Sequence, residues 1–239
     1  MKRSIFTFLL LVTGSLYGQT QAQPVDSSRK EHGRAQAQQI FADRFMMSAY
    51  RTKTGEVRKV TEEDSIYQWL SQSFAGDGTN EIIFWNSDPP TEHLADHIPP
   101  SERTLGYLRL ARSETSRGTR GTVSRYLTFE QLWVGAVFEL ISIRRLDRWN
   151  LVEADAKAGK LTKEEFIEAA ARIEFGSLEA SAEFYTAVWL PWANATGFKS
   201  DKTLWRVPLP PYEVWRASYT DRAGYPWKPF EKMFDSLQK

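Results

Sequence analysis

Residues 128–190 decide the fold and read TFEQLWVGAVFELISIRRLDRWNLVEADAKAGKLTKEEFIEAAARIEFGSLEASAEFYTAVWL. Each half of this stretch opens on a capping box, Thr128 with Gln131 and Thr162 with Glu165. In a capping box the two side chains satisfy the first free backbone N–H groups of a helix. Apolar residues then recur at the spacing of one helical face in both halves. The stretch therefore predicts two long helices.

The link between the two helices predicts how they pack. Gly159 ends the first helix, and roughly four residues separate the two, a connection typical of adjacent antiparallel helices. We therefore predict an antiparallel helix hairpin at residues 128–190 as the spine of the fold. Gly176 is the position where a kink in the second arm is expected, because glycine weakens a helix interior.

The segments around the hairpin complete a fold class that we predict to be mainly α. It consists of the central helix hairpin, flanking helices, at most a small β element, and an irregular aromatic and proline-rich C-terminal segment. Before the hairpin, the patterns predict helices at 34–50, from 61 and at 101–112, a strand at 81–85, a short helix at 91–98 and a mobile loop at 113–124. After it, a last short helix is expected from Pro229.

The first residues have the pattern of a secretory signal peptide. Lys2 and Arg3 precede an apolar run at 5–17, which is too short to cross a bilayer that needs roughly 20 residues. Small residues follow, and cleavage is expected near Ala22. The sequence therefore predicts an exported protein, periplasmic or extracellular.

The domain boundaries follow from this pattern. Residues 1–22 are predicted to be the signal peptide, and the polar residues 23–33 a disordered lead-in. Residues 34–239 are predicted to form a single helical domain, in which 191–239 wrap around the spine as a tryptophan- and proline-rich segment.

Composition excludes several classes of function. The chain has no cysteine, which rules out disulfides, thiolate metal sites and cysteine nucleophiles. Its net charge of +1 gives no reason to expect nucleic acid as a partner. No further run approaches the length of a membrane span in the mature chain, and no cofactor-binding motif is present, so no cofactor is predicted.

The C-terminal segment carries tryptophans among prolines. Flat indole faces separated by proline are suited to stacking on sugar rings or on extended peptides. The alternative is that the rings attach an irregular tail to the helical core, since large aromatic side chains are usually buried. The candidate binding residues are Trp192, Trp205, Trp215 and Trp227.

An arginine-rich stretch follows residue 102. Arg117 and Arg120 lie where a loop is predicted, and guanidinium groups bind phosphate, sulfate or carboxylate groups in bidentate fashion. The alternative is an ordinary solvated charged loop. A possible partner is thus an anionic envelope polymer or another exported protein.

Two histidines have metal-ligand spacing. His93 and His97 would lie on one face of a helix, as zinc ligands do. The segment resembles the HExxH metalloprotease motif in histidine spacing only, because Glu92 precedes the first histidine. The alternative is a short solvated helix.

These observations favour an exported, non-catalytic binding or envelope-associated protein. The alternative is a metal-dependent hydrolase with His93 and His97 as metal ligands. No motif identifies catalytic residues, so the sequence leaves open whether the protein is an enzyme.

Overall fold

The structure of the chain is a computed structural model. The residues that it describes are 27–43, 46, 60–76, 83–86, 95–98, 106–111, 113–118, 121–218 and 227–238.

The architecture is mainly α, as predicted, with two small sheets. The helices are α1 (Ser27–Ala42), α2 (Ser65–Ala75), α3 (Phe129–Ile143), α4 (Leu146–Lys157), α5 (Lys163–Phe184), α6 (Leu190–Thr196), α7 (Tyr212–Ala217) and α8 (Trp227–Leu237), with a π-helical turn at Tyr185–Trp189. The strands are β1 (Ile83–Asn86), β2 (Ala95–Ile98), β3 (Gly106–Leu110), β4 (Ser113–Gly118) and β5 (Gly121–Tyr126).

Both predicted capping boxes are present. Thr128 N donates to Gln131 Oε1 at 2.9 Å, and Gln131 N donates to Thr128 Oγ1 at 3.3 Å. The same exchange joins Thr162 and Glu165 at 2.8 and 3.3 Å. The hydrogen bonds from the backbone and side chain of Thr162 lower the pKa of the Glu165 carboxyl. The helix starts were therefore predictable, because their signals are local.

The spine is an antiparallel hairpin whose first arm is broken. The arm consists of α3 and α4, which meet at Arg144 and Arg145, and α5 packs against both. Arg145 Nη2 donates to the carbonyl oxygen of Gly176 at 2.8 Å. A Cβ at position 176 would lie 3.4 Å from Arg145 Nε. Gly176 thus makes room for the arginine, and the irregularity in α5 lies further along the chain.

That irregularity is the π-helical turn. Leu190 N bonds to the carbonyl oxygen of Tyr185, five residues earlier, and α6 then continues through Pro191 to Thr196. A proline in an α-helix lacks a donor and clashes with the preceding turn. The changed hydrogen-bond register just before Pro191 lets the helix continue beyond the predicted end.

The larger sheet has strand order β1-β3-β2, with β1 parallel and β2 antiparallel to β3. It packs on α3 at Gly135, where a Cβ would lie only 3.1 Å from Leu110 Cδ2 and 3.3 Å from Ala95 Cβ. The absence of a side chain at position 135 therefore allows the sheet to lie against the helix.

Three predictions around this sheet are wrong. Residues 95–98 and 106–110 form strands in place of the predicted helices. Residues 113–118 and 121–126 form the antiparallel strands β4 and β5, where a mobile loop was expected at 113–124. In β3 the buried Leu108 and Leu110 alternate with partly exposed residues, which is the period of a strand. The strand predicted at 81–85 is confirmed in its described part, where β1 begins at Ile83.

The N-terminal boundary also shifts. α1 begins at Ser27, so residues 27–33, which were predicted to be disordered, form its first turns. It packs antiparallel on α2 with Gly33 at the closest approach, because a Cβ there would overlap the carbonyl oxygen of Ser71. Residues 1–26, with the predicted signal peptide, lie outside the described residues.

Candidate functional site

The four tryptophans predicted to form a stacking surface are buried. The exposed fractions of Trp192, Trp205, Trp215 and Trp227 are 4%, 2%, 4% and 8%. Stacking on a sugar or a peptide requires an open indole face. The stacking interpretation is therefore corrected, and the rings attach the tail to the core, as the alternative held.

Trp189 is the centre of the aromatic cluster. Its ring centroid lies 5.0 Å from that of Trp205, 5.1 Å from Trp192 and 5.8 Å from Phe129. The π-helical turn ends at Trp189 and aims it into this cluster. The rings at the start of α3 and in the tail are thus packed on one residue that the sequence did not single out.

A buried carboxylate organises the polar side of this cluster. Glu130, 4% exposed, accepts hydrogen bonds from Trp189 Nε1 at 3.0 Å and Trp205 Nε1 at 2.8 Å. Ser200 Oγ donates to the same oxygen, and Asp201 N donates to Oε2 at 2.8 Å. Four donors compensate for the loss of hydration of the carboxylate. Glu130 therefore fixes the chain after α6 to the start of α3.

A second group of contacts attaches α7 to α5. Trp215 and Tyr212 pack on Phe175 with centroid distances of 5.3 and 5.2 Å. Beside them, Glu168 binds Arg172 at 2.9 Å and Arg216 at 2.8 Å. Burial, and then the nearby Glu168 carboxylate, raise the pKa of Tyr212 to about 12. These contacts are structural, because the rings face the core.

His97 faces the interior from a strand. It is 1% exposed, and its Nδ1 lies 3.5 Å from Glu139 Oε2 on α3, which is equally buried. Neighbouring residues of a strand point to opposite faces, and Asp96 instead binds the guanidinium of Arg109. The hydrogen bonds that Arg109 donates to the Asp96 carboxylate are the main cause that raises the pKa of Arg109.

The helix predicted to carry the zinc pair is absent at His97. His97 lies on β2, so the helical spacing on which the pair was based does not apply to it. His93 lies outside the described residues. Within the ranges that the structure describes, no three histidine, aspartate or glutamate side chains come together as a metal site. The buried contact of His97 with Glu139 joins the sheet to α3.

The arginine-rich stretch is a β-ribbon. Six registered pairs, from Ser113 opposite Tyr126 to Gly118 opposite Gly121, join β4 and β5. Arg117 lies on β4 opposite Thr122, and Arg120 lies between the strands, outside the described residues. Among the described strands the ribbon forms a sheet of its own.

The composition of the ribbon distinguishes it from the larger sheet. Residues 113–126 contain three arginines and one glutamate, and Val123 and Tyr126 are their only large apolar residues. Tyr126 is 78% exposed. A sheet that packs on a core needs one apolar face, and this ribbon has too few apolar residues to supply one. Its composition is therefore basic, with three arginines and one glutamate.

Sequence reasoning missed the residues that organise the interior. Glu130 stands in the first turn of α3, where an acid is ordinarily explained by the helix dipole. Glu139 interrupts an apolar run, and a carboxylate at such a position signals a buried polar partner. The sequence does not show which partner, because His97 is 42 residues away.

Compared with known proteins, the chain matches no protein-family model, no curated protein and no solved structure. None of the helices in the described ranges combines the length and apolar character needed to cross a bilayer. The function must therefore be argued from the chain's own surfaces.

Proposed function

We propose that this chain is an exported, non-catalytic binding protein that recognises an anionic polymer of the cell envelope through the β4–β5 ribbon. The observation that carries the proposal is a registered, arginine-bearing ribbon with only two large apolar residues. An isolated two-stranded ribbon is marginally stable and contributes little to a core. A role outside the core accounts for its presence.

The chemistry of the ribbon supports an anionic partner. Arginine donates two parallel hydrogen bonds to phosphate, sulfate or carboxylate groups, which lysine cannot do. Arg117, Arg120 and Arg125 fall within nine residues of one ribbon. Repeated anionic groups along a polymer would engage several arginines together, and linked contacts bind more tightly than each one alone.

The test is binding to a soluble polyuronate and to polyphosphate, measured by calorimetry at increasing salt. We expect the triple variant Arg117→Gln/Arg120→Gln/Arg125→Gln to bind at least about tenfold more weakly, because each lost ionic contact contributes on the order of 1 kcal/mol. Its affinity should also depend less on salt, since fewer counterions are released.

The matched control removes the same charge elsewhere. Lys199, Lys202 and Lys228 are exposed and lie outside the ribbon. Their replacement by glutamine should leave the affinity within about twofold of wild type. Equal losses of affinity in both triple variants would show that net charge, and not the ribbon, causes the binding. Absence of binding by the wild type to either polymer would end the proposal.

Export is tested separately. The full chain with a C-terminal tag should be recovered outside the cytoplasm, with its N-terminus shortened to the region of Ala22. Recovery of uncleaved protein in the cytoplasm would contradict export while leaving the ribbon proposal intact.

A further inference from the structure

A groove between α1 and α2 has the dimensions of a ligand site. Its volume is about 400 Å³, which falls within the range usual for small-molecule sites. Seven of its lining residues have polar side chains: Lys30, Arg34, Glu62, Tyr67, Gln68, Ser71 and Gln72.

The walls of the groove are held at both ends. Gly33 brings the two helices into contact, since a Cβ at this position would also lie 2.9 Å from Ala75 N. Tyr67, 5% exposed, donates from its hydroxyl to the carbonyl oxygen of Arg34 at 3.3 Å. Arg29 Nη1 donates to the carbonyl oxygen of Ala75 at 3.4 Å. The groove is thus formed before a ligand enters, which lowers the entropic cost of binding.

The charges in the groove are unequal. Lys30 and Arg34 stand one turn apart on α1, and both side chains are exposed. The single carboxylate of the lining, Glu62, lies close enough to Tyr67 to add to the rise in its pKa, which burial mainly causes. Two cations against one carboxylate favour a ligand with one negative group.

The remaining lining groups suit hydroxyls. The side-chain amides of Gln68 and Gln72 both donate and accept hydrogen bonds, as does the Ser71 hydroxyl. Glu62 accepts only. A small carboxylate rich in hydroxyl groups would use both halves of this lining.

We propose that the α1–α2 groove binds a uronic acid, with the sugar carboxylate between Lys30 and Arg34 and its hydroxyls on the amide side chains and Glu62. This site is separate from the β4–β5 ribbon and does not depend on it. Only the carboxylate distinguishes such a ligand from a neutral sugar, so the two cations determine the selectivity.

The experiment is a titration of the purified protein with galacturonate, followed by the backbone amide resonances of α1 and α2. We expect saturable shifts confined to these helices, and galactose should bind at least tenfold more weakly. The double variant Lys30→Gln/Arg34→Gln should lose at least tenfold in galacturonate affinity. Lys199→Gln/Lys202→Gln, which removes the same charge, should bind as the wild type does.

Three outcomes would overturn the proposal. They are equal affinity for galactose and galacturonate, an unchanged affinity in the Lys30/Arg34 variant, and saturation by inorganic phosphate without any response to galacturonate. The Arg117/Arg120/Arg125 variant should bind galacturonate normally, so failure of the ribbon proposal and failure of the groove proposal are distinguishable.

Discussion

Replacement of Glu130 by glutamine tests whether this buried carboxylate holds the C-terminal segment. One of its oxygens accepts from Trp189 Nε1, Trp205 Nε1 and Ser200 Oγ, and the other accepts from Asp201 N. A glutamine has nearly the same shape but presents one oxygen and one NH₂ group. If its oxygen faces the indoles, the NH₂ group meets the backbone N–H of Asp201, and one hydrogen bond is lost.

The magnitude follows from these bonds. A hydrogen bond to a charged group contributes about 1.5–3 kcal/mol, and neutral bonds are roughly half as strong as charge-assisted ones. The loss of one bond and the weakening of three others should together lower the free energy of unfolding by about 3–5 kcal/mol. For a domain of this size, that corresponds to a fall in Tm on the order of 10 °C.

The assay is urea denaturation followed by tryptophan fluorescence, with the indole N–H resonances of Trp189 and Trp205 as the local readout. The matched control is Glu31→Gln, which removes a carboxylate from an exposed position on α1 and should cost less than about 0.5 kcal/mol. A Glu130→Gln variant as stable as Glu31→Gln would refute the reasoning. It would mean that the cost of burying the charge cancels the four hydrogen bonds.

Three further substitutions test other interior positions. Burial raises the pKa of the Glu153 carboxyl, and the charge of Lys157 opposes this shift. The Glu153 carboxyl therefore holds its proton more tightly in the folded protein than in the unfolded chain. The charge therefore opposes folding above the raised pKa, and Glu153→Gln should add about 1 kcal/mol at pH 7.5 in urea denaturation. This gain should vanish near pH 3.5, below the unfolded-state pKa of about 4.3, and an equal gain at both pH values would contradict the explanation. Gly135→Val should lower the free energy of unfolding by about 1–3 kcal/mol, because its side chain would meet Leu110 and Ala95. Gly176→Ala should lie within about 1 kcal/mol of wild type in the same denaturation experiment, since the side chain of Arg145 can adjust, and equal losses in the two glycine variants would refute the distinction.

The ribbon and the groove differ in how far the sequence could predict them. Arg117 was identified because its residue type and neighbours are visible in the sequence. The groove was not, because Lys30 and Arg34 acquire a common cavity with Gln68 and Gln72 only when α1 packs on α2. The burial of Trp205 likewise depends on donors and rings that come from α3 and from the π-helical turn.

The sequence by itself determined where α3 and α5 begin and that they form a hairpin. A capping box such as Thr162 with Glu165 closes within three residues, and helical periodicity repeats within a turn, so these features need no distant partner. Only the tertiary structure decided that 106–110 is a strand and that Glu130 is a structural centre. β3 finds its hydrogen-bond partners on β1 and β2, and the donors to Glu130 lie 59 to 75 residues away. Such partners are selected by packing of the whole chain, which no local pattern records.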